Sequence, residues 1–176
     1  MPAFIFVLVF SLMLVEAARA GRNERAQRAR GGVEPDGDVY ALMRVLYPAA
    51  FAAMIAEGVL GGTPPARELF AAGLVVFVIA KALKWWAIVS LGPLWTFRVI
   101  VLPGTALVSR GPYRFLSHPN YVGVVGELVG VALMTRAVVA GPIAIVAFGA
   151  LLLKRISVEA RALRCARGKA PDAILR

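Results

Sequence analysis

The stretch "SHPNYVGVVGELVGVALMTRAVVAGPIAIVAFGALLLKR", residues 117–155, decides the fold. It starts as a polar turn and continues as two apolar runs, 121–135 and 137–153, parted at Thr135 and Arg136, with Pro142 early in the second. Two apolar runs with so short a break read as a tight helical hairpin. The first run is short for the ~20 residues that a full membrane span needs. Its helix is therefore expected to begin inside the polar turn or to stop short of the far side.

Three more apolar runs lie upstream, at residues 2–18, 41–60 and about 69–91. The first is followed by "ARAG", which looks like a signal-peptidase site. It lacks a basic leader, however, and the strongly basic "RAGRNERAQRAR" follows it, so a retained transmembrane helix is the expectation. Lys81 and Lys84 in the third run are expected to snorkel toward the interface, beside Trp85 and Trp86 in an aromatic belt. Of the 176 residues, 60% are hydrophobic and 17% charged. A soluble chain of this size lacks the interior to hide that much apolar surface. The expected fold is an all-α integral membrane protein of about five transmembrane helices. Residues 1–176 form one domain: three helices and a basic loop in 1–91, then a polar loop, the hairpin and a basic tail in 92–176.

Charge sets the orientation. Five arginines lie between residues 19 and 30, three more at Arg98, Arg110 and Arg114, and seven basic residues between 154 and 176. The two remaining loops offer only Arg67 and Arg136. The excess of basic residues marks the cytoplasmic side. The N-terminus is expected outside and the C-terminus in the cytoplasm, in a bacterial inner or plasma membrane. The net charge of +10 is thus a topology signal rather than a nucleic-acid footprint, since no RNA- or DNA-binding motif accompanies it. Without an internal repeat, the usual transporter architecture is disfavoured. Cys165 is the lone cysteine, read as a free cytoplasmic thiol.

One histidine rules out multi-histidine metal boxes, and no metal site is expected. Gly123, Gly126 and Gly130 lack the spacing and the preceding strand of a nucleotide loop, and read as close helix packing. Glu127, a carboxylate within an apolar run, is a candidate catalytic group; its alternative is to be held by Lys81, Lys84 or a hydroxyl. Glu57 is expected to be an interface residue. His118 sits just before the fourth helix, in one turn with Tyr113, Arg114, Pro119, Asn120 and Tyr121. A helix N-terminus presents free N–H groups to a carboxylate-bearing ligand, and aromatic rings suit an adenine or a sulfonium. The hairpin is expected to return Glu159 to His118, unless Glu159 only pairs with Arg155 at i,i+4 spacing.

Together these residues resemble the isoprenylcysteine carboxyl methyltransferase family, in particular its small bacterial branch. "GPYRFLSHPNYVG" at 111–123, the hairpin and "RISVEARAL" at 155–163 carry the resemblance, with "SLGPLWTFRVIVLPGTALVSRGPYR" at 90–114 and "RNERAQRARGGVE" at 22–34 upstream. His118, Pro119, Tyr121 and Gly123 match the family's R-H-P-x-Y-x-G signature, while Ser117 stands at its arginine. Of two adjacent acids in the family's tail, Val158 replaces one and Glu159 keeps the other; Leu163 matches the leucine that follows. The resemblance implies S-adenosylmethionine as cofactor, with His118, Pro119, Tyr121, Gly123, Glu159 and Leu163 around it; Tyr113 and Arg114 join them from the same turn, and Arg114 or Arg110 stands in for the missing arginine. The acceptor is expected to be lipophilic, a prenylcysteine-like carboxylate or, preferred, the hydroxyl of a polyketide-derived alkylpyrone or alkylresorcinol, with a functional link to a polyketide synthase. A phenol would need a base, and His118, Glu159 and Glu127 are the candidates in that order. The rivals are a membrane reductase using NADPH, which commonly carries an acid where Val124 stands, and a non-catalytic scaffold or transporter.

Overall fold

The computed structural model describes residues 2–102, 105 and 108–168, without the side chains of 163 and 165–168. Five α-helices run through them: α1 (Pro2–Ala29), α2 (Tyr40–Leu60), α3 (Arg67–Leu91), α4 (Pro119–Thr135) and α5 (Ala140–Gly168). The described residues hold no β-strand, only an isolated bridge between Val33 and Val101. Three segments, Pro2–Ala29, Tyr40–Leu60 and Arg67–Leu94, are long and apolar enough to cross a membrane; α4 is apolar but shorter.

Two helices outrun their apolar runs. The basic segment expected as the first loop is the end of α1. Its Ala, Arg, Glu and Gln favour helix, and at 28 residues α1 extends ~42 Å, beyond the ~30 Å of a bilayer core. Gly31, at φ +80°, ends it. The Gly31 N–H donates to the Arg28 carbonyl (3.0 Å) and the Gly32 N–H to that of Gln27 (2.9 Å), which is a Schellman stop. The basic tail likewise continues α5 to Gly168, so Arg155 and Glu159 ride the same helix as the hairpin.

α4 begins at Pro119, inside the polar turn. It packs most closely on α3, because glycines line the seam. A Cβ on Gly130 would lie 2.8 Å from the Phe77 nitrogen and 2.9 Å from the Gly73 carbonyl oxygen. Arg136 then takes a left-handed conformation, φ 55° and ψ 38°, and turns the chain into α5. Glu57 is more than an interface residue: its carboxylate accepts the N–H groups of Val139 (3.0 Å) and Ala140 (2.6 Å), capping α5 from a neighbouring helix. Phe51, Met54, Phe77, Leu128, Val131 and Met134 fill the centre, and α1 adds Ile5 and Val9.

The polar segment between α3 and α4 folds back on the end of α1. Asn23 Nδ2 donates to the carbonyls of Gly92 (3.0 Å) and Trp95 (2.7 Å), and Gln27 Nε2 to that of Pro93 (2.8 Å). The segment closes with a 3₁₀ turn at Gly111–Arg114. Gly111 has φ +61°, and a Cβ there would overlap Ser90 Oγ. This seats the turn on the end of α3 and sets Tyr113 beside the start of α4.

Candidate active site

All five helices and the folded-back segment surround one cavity of about 850 Å³. Its mouth carries Tyr113, Ser117, His118, Asn120, Tyr121 and Glu159. His118 precedes α4, where Pro119 at the first helical position fixes the backbone. Tyr121 follows less than a turn later, so its ring stacks on the imidazole, with centroids 5.3 Å apart and planes 11° from parallel. From α5, Glu159 Oε2 comes within 3.9 Å of His118 Nδ1 and accepts the Tyr121 hydroxyl at 3.1 Å. The structure thus brings His118, Tyr121 and Glu159 together. Burial, and then the charge of Glu159, raise the pKa of the Tyr113 phenol, so it stays protonated near neutral pH.

Arg155 does not pair with Glu159 as its spacing allows. Its guanidinium is buried and turned inward. Nε donates to the Tyr121 hydroxyl (3.0 Å), Nη1 to Asp38 Oδ1 (3.2 Å), and Nη2 to the Phe97 carbonyl. Asp38 also accepts the Val99 N–H at 3.0 Å. Arg155 therefore ties α5, α4, the α1–α2 loop and the folded-back segment together at the mouth.

The other candidates fall elsewhere. Pro119 and Gly123 are buried off the cavity wall, and Gly123 faces Ala80 and Lys84 of α3. Arg114 is exposed over the Phe115 ring (5.8 Å), and Arg110 Nε donates to the Ser90 carbonyl (3.1 Å); neither lines the cavity. The Leu163 side chain lies outside the described residues.

Glu127 is remote from the mouth. Its Oε1 is 2.9 Å from Lys81 Nζ and 3.3 Å from Lys84 Nζ, and its Oε2 accepts the Tyr47 hydroxyl at 2.6 Å. Glu16 of α1 closes the ring, 2.9 Å from Lys81 and 2.7 Å from Lys84. The lysines expected to snorkel outward instead turn into this buried cluster. Glu16 went unremarked in the sequence, though a carboxylate inside "LMLVEAA" carries the same signal as Glu127. Tyr47 and Asp38 carry no such signal, since their partners are distant in sequence.

The chemistry of the mouth suits a cationic, aromatic cofactor. Glu159 supplies negative charge, and His118, Tyr121 and Tyr113 supply ring faces. Asn120 Oδ1 is buried there without a hydrogen-bond partner, an acceptor awaiting a ligand N–H. Phe10, Met13, Val124, Phe148 and Leu152 make much of the inner wall apolar, with Glu16, Tyr47 and Lys84 at its deep end.

A sequence model of the isoprenylcysteine carboxyl methyltransferase (ICMT) family matches residues 72–165, more than half of the chain. The match contains every mouth residue named above. The chain belongs to this family of membrane methyltransferases. It is similar to the uncharacterized protein YpbQ of Bacillus subtilis, 29% identical over 91% of this chain and 97% of the relative. It also resembles an uncharacterized protein of Haemophilus influenzae, 22% identical over 90% of this chain and 92% of that one. No solved structure matches it.

Proposed function

We propose that the protein transfers a methyl group from S-adenosylmethionine to an oxygen of a lipophilic acceptor, with its mouth on the cytoplasmic side of the bacterial inner membrane. The observation that carries this is one cavity with two kinds of wall. A polar mouth of His118, Asn120, Tyr121 and Glu159 leads into a largely apolar interior that reaches Leu14, an α1 side chain exposed on the outer face of the helices. A water-soluble cofactor fits the first part and a lipid tail the second.

S-adenosylmethionine, when bound, supplies an electrophilic methyl group on a sulfonium. Tyr121, Glu159, His118 and Asn120 would hold it. The chain's own work is to align the acceptor oxygen and exclude water. An ionised carboxylate acceptor needs no base, whereas a phenol with pKa near 10 does. His118 is the base in that case, and Glu159 at 3.9 Å from Nδ1 balances the positive charge that arrives on the ring. The acceptor we favour is a phenolic or enolic lipid of polyketide origin.

Calorimetric titration of S-adenosylhomocysteine into detergent-purified protein tests the cofactor, with NADPH in parallel. Micromolar binding of the first, lost in Glu159→Ala, is the expected result. Labelled methyl transfer to alkylphenols and to a prenylcysteine analogue then tests the acceptor. Binding of NADPH alone would overturn methyl transfer in favour of reduction.

A further inference from the structure

The cavity has a second polar end, deep inside. Glu127 follows Tyr121 by six residues of α4, about 9 Å of helix rise. At that depth Glu16, Lys84 and Tyr47 line the cavity. The Glu16, Lys84 and Glu127 side chains are 1%, 2% and 1% exposed, so four ionised groups, with Lys81, sit in the low-dielectric interior. Apolar packing would hold the helices at least as well, because a buried ion pair seldom repays its desolvation. Two of the four, Glu16 and Lys84, border a cavity together with Tyr47 rather than a packed core, and Lys81 and Glu127 pair with them from behind.

The bonding within the cluster decides what it can take. Two carboxylates and two ammoniums balance. The Tyr47 hydroxyl gives its proton to Glu127, which leaves oxygen lone pairs for an incoming donor. Lys84 contacts two carboxylates, and its three N–H donors leave one to spare. The cluster thus offers one acceptor and one donor to the cavity. A hydroxyl or carbonyl uses either without adding charge. An anion would unbalance a neutral set inside the membrane, where an uncompensated charge is strongly disfavoured.

We propose that this buried cluster is a second anchoring site for the acceptor: it binds an uncharged hydroxyl or carbonyl oxygen of the lipid head group, distinct from the oxygen that receives the methyl group. The proposal rests on the lipid methyltransferase function above. The chemical class it selects is a neutral amphiphile with two oxygen functions on its head, and it disfavours a second carboxylate.

Two phenolic lipids with the same alkyl chain provide the test, one with a single ring hydroxyl and one with two. Binding of each to protein saturated with S-adenosylhomocysteine is measured calorimetrically, alongside labelled methyl transfer. Wild-type protein should bind the two-hydroxyl lipid about tenfold more tightly, the worth of one good hydrogen bond. In the charge-balanced variant Glu16→Gln/Lys84→Met the ratio should fall to about one, with S-adenosylhomocysteine affinity retained. Tyr47→Phe, which removes a single hydroxyl, should reduce the ratio by itself and decides the matter should the double variant not fold. A ratio near one in wild type, or one unchanged in Tyr47→Phe and in the folded double variant, would overturn the anchoring site. Preferential binding without methyl transfer to either lipid or to the prenylcysteine analogue would retain the site and overturn the methyltransferase function; methyl transfer without preference would do the reverse.

Discussion

The Arg155 guanidinium donates to the Tyr121 hydroxyl at 3.0 Å, and this contact fixes where the tyrosine proton points. A guanidinium cannot accept a hydrogen bond. The phenol must therefore receive from Arg155 and give to Glu159, 3.1 Å away. Arg155 acts on the mouth through Tyr121, and is a positioning residue.

Arg155→Lys keeps the charge but loses the planar fork that reaches Tyr121, Asp38 and Phe97 at once. It should weaken S-adenosylhomocysteine binding by about tenfold, in proportion to one charge-assisted hydrogen bond. Tyr121→Phe should weaken it similarly, and the double variant should add little to either single change. Additive losses in calorimetry would mean that the two residues act independently.

The glycines of α4 and α5 give a stability contrast. On Gly130 a Cβ meets backbone atoms of α3, which cannot rotate away. Gly130→Ala should destabilise by about 1–3 kcal/mol through overpacking. Around Gly149 a Cβ meets nothing within 4 Å. Gly149→Ala should be neutral or stabilise by up to ~1 kcal/mol, because alanine is the better helix former. Thermal unfolding in one detergent compares them directly.

The hairpin is legible in residues 121–153 because apolar runs broken by Thr135 and Arg136 leave few other folds, and the helix-packing role of Gly130 follows from its spacing. The ends of α1 and α5 are less so. Basic side chains mark the membrane boundary but are also good helix formers, so hydropathy stops where the helix does not. His118, Tyr121 and Glu159 are legible as a group once the hairpin is drawn, since it returns α5 to the start of α4. The partners of Arg155 are not, because Asp38 is 117 residues away and Phe97 lies in a segment without periodicity. The alternative reading of Glu127, held by Lys81, Lys84 or a hydroxyl, is the one the structure bears out, while the snorkelling of the two lysines is not; that Glu16 of α1 meets them as well shows only in the fold.

That buried cluster makes a charge-balance prediction. Lys84→Met leaves Glu16 and Glu127 sharing Lys81 alone, and removing one member of a buried pair typically costs about 3–5 kcal/mol. Glu16→Gln added to Lys84→Met restores neutrality and should recover most of the loss. A double variant less stable than the single one, by thermal melting, would show that packing rather than charge holds the cluster.

Acid should loosen the α1–α2 loop before the helices. Glu34, in the α1–α2 loop, receives Arg98 Nη1 and Arg28 Nη2, each at 2.7 Å. Partial burial opposes its ionisation, but the hydrogen bonds and charges of the two arginines prevail and hold its pKa below the usual glutamate value. A depressed carboxylate stabilises the fold at pH above its unfolded pKa, about 4.3, and that contribution vanishes as pH falls through the lower folded value. Glu34→Gln removes the ionisable group, so its melting temperature should fall less steeply than wild type as pH drops from about 6 to 3. Both arginines also reach Glu24 of α1, Arg28 at 3.2 Å and Arg98 at 3.1 Å, and the same substitution should increase hydrogen exchange at residues 30–39 at neutral pH. Parallel acid melting curves for the two proteins would mean that Glu34 adds nothing to the pH dependence.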